Sequence, residues 1–204
     1  MGLLSSTVSI TRYKIEGKIE EPVIETVCNG LEENSIRVTD DDISEKTVGW
    51  TSLENPFDPR FKGSSFLVGT HFVFSLRIDR KTIPPKVIKK HYAAEVVKHL
   101  RESGRQYLSR TEKKMIREDV INALVLRIPS TPNIYDIIWN YENFSLWFFS
   151  NLKSANEELE TLFSTSFKLT LVRLFPFTMA ELIADLSASE RDVLAKLSPT
   201  NFAG

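Results

Sequence analysis

Residues 133–150 read NIYDIIWNYENFSLWFFS, two aromatic-rich apolar runs broken by a polar turn near Tyr141 to Asn143. Two such runs a few residues apart close as an antiparallel hairpin. A hairpin leaves no room for the long crossover that a parallel pair needs. The stretch SFLVGTHFVFSLRID, 65–79, has the same form, with its turn around Gly69-Thr70. A chain built on hairpins, with helices between them and no strict βαβ alternation, is expected to be α+β, a mostly antiparallel sheet with packed helices.

The remaining elements follow from spacing. Residues 7–15 alternate through Val8, Ile10, Tyr13 and Ile15 and predict a strand. Residues 21–33, with Pro22 near the first turn and Val23, Val27 and Leu31 on one stripe, predict a helix. A short strand is expected before Gly49-Trp50, then an aperiodic loop over 51–64, then helices over about 84–103 and 110–126. SANEELETLFSTSF predicts a helix with Ser154 and Glu157 as a capping box, KLTLVRL a strand, and TMAELIADLSASERDVLAKL one or two short helices. This divides the chain into a main region, 1–176, and a short C-terminal part, 177–204. With 204 residues and 42% hydrophobic content the chain suits one domain with a small appendage. Cys28 is alone, so it forms no intrachain disulfide and is expected in the core. No run reaches the roughly 18 apolar residues of a membrane span, so a cytoplasmic protein is expected. The opening MGLLSS fits the loose myristoylation pattern, but the strand-like alternation after it favours an ordinary start.

Net charge is only −1, yet it is unevenly spread. Between Arg80 and Arg117 stand twelve basic residues and three acids, a local +9 that leaves −10 for everything else. Such segregation suggests one surface for a polyanion on an otherwise acidic body. On the first helix Ile88, Tyr92, Val96 and Leu100 recur every four residues as the buried stripe, with Lys90, Lys98 and Arg101 opposite and Lys86 on the flank. On the second, Arg110, Lys113, Lys114 and Arg117 share a face that continues into Ile121 and Leu124, which are core or a possible dimer contact. Ser109 and Glu112 form the signature of a capping box. Cations in that first turn oppose the helix dipole, an arrangement that makes sense if a phosphate sits on the N-terminal amides.

These residues also carry a resemblance. The order GW (Gly49, Trp50), a hairpin, RKTIPPKVIKK, ESGRQYLSRTEKKMIREDV, an aromatic hairpin and SANEELETLFSTSF resembles the recombination-associated RdgC family over about residues 7–175, most specifically at Arg105, Leu108, Arg110, Glu112 and Lys113. The chain departs from the family pattern by one extra residue between Arg105 and the TEK run. Its LVLRIPS keeps Arg127 but puts Pro129 where the family has an aromatic. The resemblance implies a homodimer that encircles double-stranded DNA with little sequence preference and restrains RecA, in the cytoplasm at the nucleoid. Family members extend further than 204 residues, and a shorter chain is expected to dimerise through one contact as an open clamp.

Other signals are weaker. His91, Glu95 and His99 are spaced four apart on one helix, but flanking Lys90 and Lys98 argue for a solvated edge over a metal site. His71 reads as a structural polar residue. The aromatic hairpin could stack bases, but no basic residue lies between Arg127 and Lys153, and core packing is favoured. Asp40 to Asp42 read as a turn, and no elbow, P-loop or paired-cysteine motif points to catalysis or a cofactor. The sequence thus predicts phosphate contacts at Lys86, Lys90, Lys98, Arg101, Arg105, Arg110, Lys113, Lys114 and Arg117. Its alternative is a basic face that docks an acidic protein partner.

Overall fold

The structure, a computed structural model, describes residues 2–37, 44–61 and 65–198. The turn expected at Asp40 to Asp42 and the end of the 51–64 loop lie outside the described residues. Among the described residues, seven strands and six helices follow in the order β1 (Thr11–Glu16), α1 (Val23–Glu33), β2 (Lys46–Thr51), β3 (Leu67–Val68), β4 (His71–Arg80), α2 (Pro85–Ser103), α3 (Arg110–Val125), β5 (Thr131–Asn140), β6 (Ser145–Phe148), α4 (Lys153–Phe167), β7 (Thr170–Arg173), α5 (Pro176–Ile183) and α6 (Ala188–Lys196). All strand pairs are antiparallel, in the order β2-β4-β5-β6-β1-β7, with β3 also on β4. The α+β expectation holds, and both expected hairpins form.

Strand alternation sorts the side chains to two faces. Phe72, Phe74, Leu76 and Ile78 of β4 stand beside Trp139 and Ile137 of β5, Leu146 and Phe148 of β6, and Tyr13 and Ile15 of β1. Helices α1 and α4 cover this face with Val27, Leu31, Leu159, Phe163 and Phe167. The rings interlock: Trp139 meets Phe163 at 5.0 Å and Phe72 at 5.2 Å between centroids, and Trp50 meets Phe74 edge-on at 5.2 Å. Burying each such side chain is worth about 1.5–3 kcal/mol. Cys28 sits at the margin of this core, half-buried, and burial pushes its thiol pKa up. Gly49 explains half of the GW pair. The 34–36 segment pairs with Trp50 through Trp50 N–H to Asn34 O and Ile36 N–H to Trp50 O, both 2.9 Å. A Cβ on Gly49 would lie 2.4 Å from the Ile36 nitrogen.

Two expectations on element starts are corrected. The first strand begins at Thr11, leaving Val8 and Ile10 exposed. Ser154 does not cap α4, whose N-cap is Leu152. Tertiary contacts set that start: buried Asn156 donates to Leu152 O at 2.8 Å and accepts from the Tyr13 hydroxyl at 2.6 Å, which places Ser154 inside the first turn.

The opposite face of the sheet is polar where it is covered. Arg77 and Asp79 of β4, each about 5% exposed, form a two-pronged ion pair at 2.7 and 2.6 Å. Arg77 also donates to Pro56 O at 3.3 Å and lies over the Phe57 ring, so it pins the loop that follows β2. Ser75 donates to Asp136, whose other oxygen accepts the Leu3 amide at 2.6 Å. His71 is hydrogen-bonded to the Asn140 amide at 3.1 Å, in keeping with its structural reading.

Candidate nucleic-acid interface

Strands β4 and β5 pair down to Arg80 and Thr131, and the chain between them leaves the sheet as the α2–α3 hairpin. Pro85 at the first position starts α2, since its fixed φ suits a helix and its missing N–H is not needed there. Gly104 at φ 62° ends it in the left-handed conformation that glycine adopts without strain. The two helices pack chiefly on each other. Leu108, Ile116, Val120 and Leu124 are buried against Ile88, Tyr92, Val96 and Leu100, so the four-residue stripe read from the sequence is the hairpin's own small core.

The capping box at α3 is present as read. Ser109 Oγ accepts from the Glu112 amide at 3.2 Å, and Glu112 accepts from the Ser109 amide at 2.8 Å. Glu112 also accepts from Arg105 at 2.8 Å. The carboxylate thus sits among the first-turn cations and offsets them. Two of the amides expected to hold a phosphate are taken by this box, and Arg105 is committed to Glu112. The Ser109 amide and hydroxyl, then the Arg105 guanidinium, hold the Glu112 pKa down at about 2. Since the folded value lies below that of a free glutamate, the cap is at full strength above the ordinary carboxylate range and is lost as pH falls towards about 2. Helicity followed by circular dichroism should drop over that window in the native chain, and Glu112→Gln should remove that acid transition from the hairpin.

All nine predicted phosphate contacts are exposed and belong to this one projection. They do not share one face, however. At about 100° per residue, Lys90, Lys98 and Arg101 lie on the side of α2 turned away from α3, opposite the stripe. Lys86 and Lys89 lie on the flank adjoining the Arg117 side of α3, and Lys89 and Arg117 line one groove with Pro85, Ile88 and Tyr92. The other groove is lined by His91, Glu95, His99, Asp119 and Arg127, a mixed surface in place of a cationic one. The arrangement is a cationic sleeve around one flank and the back of α2. Lys89 belongs to it and was missed because it adjoins the apolar stripe; its place beside Lys90 was the available signal. Lys98 pairs with Glu95 at 3.5 Å and Lys114 with Glu118 at 3.7 Å, exposed contacts worth a few tenths of a kcal/mol. Of the two residues read as core or a possible dimer contact, Leu124, 7% exposed, is packed inside the hairpin and Ile121 is half-buried.

The expectation drawn from motif order now meets a direct comparison. A family profile described as "Putative exonuclease, RdgC" matches residues 9–182. The chain belongs to the RdgC family. The match runs from just before β1 through α5, so it takes in the whole sheet and the cationic hairpin of this RdgC-type chain. No curated protein matches the sequence. No helix among the described residues is long and apolar enough to cross a membrane, and among those residues no group of three or more His, Cys, Asp or Glu side chains is placed to hold a metal ion.

Proposed function

We propose that this RdgC-family chain binds double-stranded DNA without sequence preference through the α2–α3 hairpin, and by occupying the duplex limits the access of RecA. The reading rests on one observation: the strongly basic stretch folds as an exposed, self-contained projection, while the body carries the compensating acids. Exposed lysines and arginines on such a projection recognise phosphates and release counterions, which yields affinity but no base code. A homodimer would present two hairpins to one duplex and raise the effective concentration of the second contact.

Gel shifts on unrelated duplexes across a salt series test this. The expected result is one affinity for all sequences and a steep logarithmic fall with salt, with several phosphate contacts in the slope. The family description speaks of an exonuclease, so the incubation includes Mg²⁺ and end-labelled DNA; intact ends fit a binding protein. A flat salt response would favour an acidic protein partner for the same projection.

A further inference from the structure

We propose that the open face of the sheet is a second, separate site, which holds an unstacked base of a single-stranded nucleic acid against Trp147 with Arg12 and Lys14 on the adjoining phosphates. Three tryptophans are present, and two are sealed in the core, Trp50 at 0% and Trp139 at 2% exposure. Trp147 is 44% exposed on the face turned away from α1 and α4. A ring of that size left half in water on a sheet face, beside a concavity of about 500 Å³, is a stacking surface without a partner.

Strand register supplies what the hairpin sequence lacks. Residues directly opposite each other on paired strands point to the same face. Across β5, β6 and β1 one row reads Ile138, Trp147, Arg12, and the next reads Asn140, Ser145, Lys14. An apolar-aromatic row therefore lies beside a polar row, each with a cation on β1, and the polar row continues past Lys14 to Val172 of β7. Neither Arg12 nor Lys14 has an ion-pair partner among the described residues. Glu16, next on this side of β1, lies beyond Lys14, so both cations stand nearer to Trp147 than it does.

The polar row is arranged to meet a base edge. The Asn140 amide is held at both ends, by the His71 ring and by the Asn143 backbone amide at 2.9 Å, so it forms a fixed wall. The Ser145 hydroxyl and the Asn143 side-chain amide have no hydrogen-bond partner among the described residues and are available to a ligand. A planar heteroaromatic ring that stacks on one side, hydrogen-bonds along an edge and carries a negative linker to a cation is a nucleotide unit. A single strand is favoured over a free nucleotide, because two cations one row apart along β1 suit successive phosphates. A paired duplex does not fit, since its bases offer no free face to Trp147. The site is also remote from the helical hairpin: Ile138 lies seven residues along β5 from Thr131, roughly 20 Å.

The test is a fluorescence titration of the full chain with a short oligothymidylate. Binding should quench the tryptophan emission. Trp147→Ala, at an exposed position, should abolish the quench and weaken the oligomer roughly 10- to 100-fold, with duplex affinity and thermal midpoint unchanged. Arg12→Glu with Lys14→Glu should weaken it further and flatten its salt dependence. No quench in the native chain, unchanged oligomer affinity in both variants, or loss of the oligomer only when the α3 lysines are reversed would each overturn the site. Thymidine monophosphate binding as tightly as the oligomer would overturn the strand in favour of a nucleotide. Because duplex binding is read separately, failure of this site leaves the hairpin reading standing, and the reverse holds too.

Discussion

Reversing Lys113, Lys114 and Arg117 to glutamate together lowers duplex affinity on the order of 100- to 1,000-fold at low salt and reduces the logarithmic salt slope by about 3. All three side chains are exposed on α3, and among the described residues only Lys114 has an ion-pair partner, Glu118, in a long exposed pair. Removing them takes away contacts with phosphate and adds repulsion in their place. The helix itself should tolerate the change. The new like-charge i,i+4 pairs, position 113 with 117 and 114 with Glu118, cost about 0.2–0.5 kcal/mol each, too little to unfold the helix, and the small core of Ile116, Val120 and Leu124 is untouched. Far-ultraviolet circular dichroism should therefore match the native chain, with the thermal midpoint lowered by no more than a few degrees. A folded triple variant that still shifts duplex with native affinity would place the interface elsewhere.

Asp79→Leu is expected to destabilise the fold by about 3–5 kcal/mol, a large part of the roughly 5–15 kcal/mol by which a domain of ordinary stability is held. The cost comes from what is left behind. Arg77 would stay buried with its charge, deprived of both carboxylate bonds and keeping only the Pro56 carbonyl and the Phe57 ring. Replacing both partners, Arg77→Met with Asp79→Leu, should recover most of the loss, since a buried pair and an apolar pair of similar volume are often close in energy. Urea denaturation with a fixed slope separates the two variants. A single variant that loses less than about 1 kcal/mol would show that the pair is not the anchor of the loop. The double variant should still loosen that loop at Phe57, whose ring loses the guanidinium over it, while the Thr51 hydroxyl keeps its 2.9 Å bond to Pro56 O.

The two hairpins, the helix pair and the α3 cap were legible because their determinants lie close in the chain. The cap joins Ser109 to Glu112, three residues apart, and the turn at Gly69-Thr70 closes between adjoining strands. The failed cap at Ser154 marks the limit of that logic. The same local pattern lost to Asn156 and Tyr13, which are far apart in sequence. How the charged faces of the two helices adjoin was not legible either, for a physical reason. A helix wheel orders residues about one axis, but which side of α2 meets solvent and which meets α3 depends on how the pair packs.

Period-2 and period-4 spacing, turn residues and charge are carried by neighbouring residues, so the sequence alone determined the α+β class, the cationic projection and its apolar seam. Strand order is a choice among distant partners. Only the tertiary structure set β1 against β6, which brings Arg12 and Lys14 to Trp147, and buried Arg77 with Asp79 beneath a loop. A one-residue slip in either pairing would turn every one of those side chains to the other face, and nothing in the short stretches around them specifies that register.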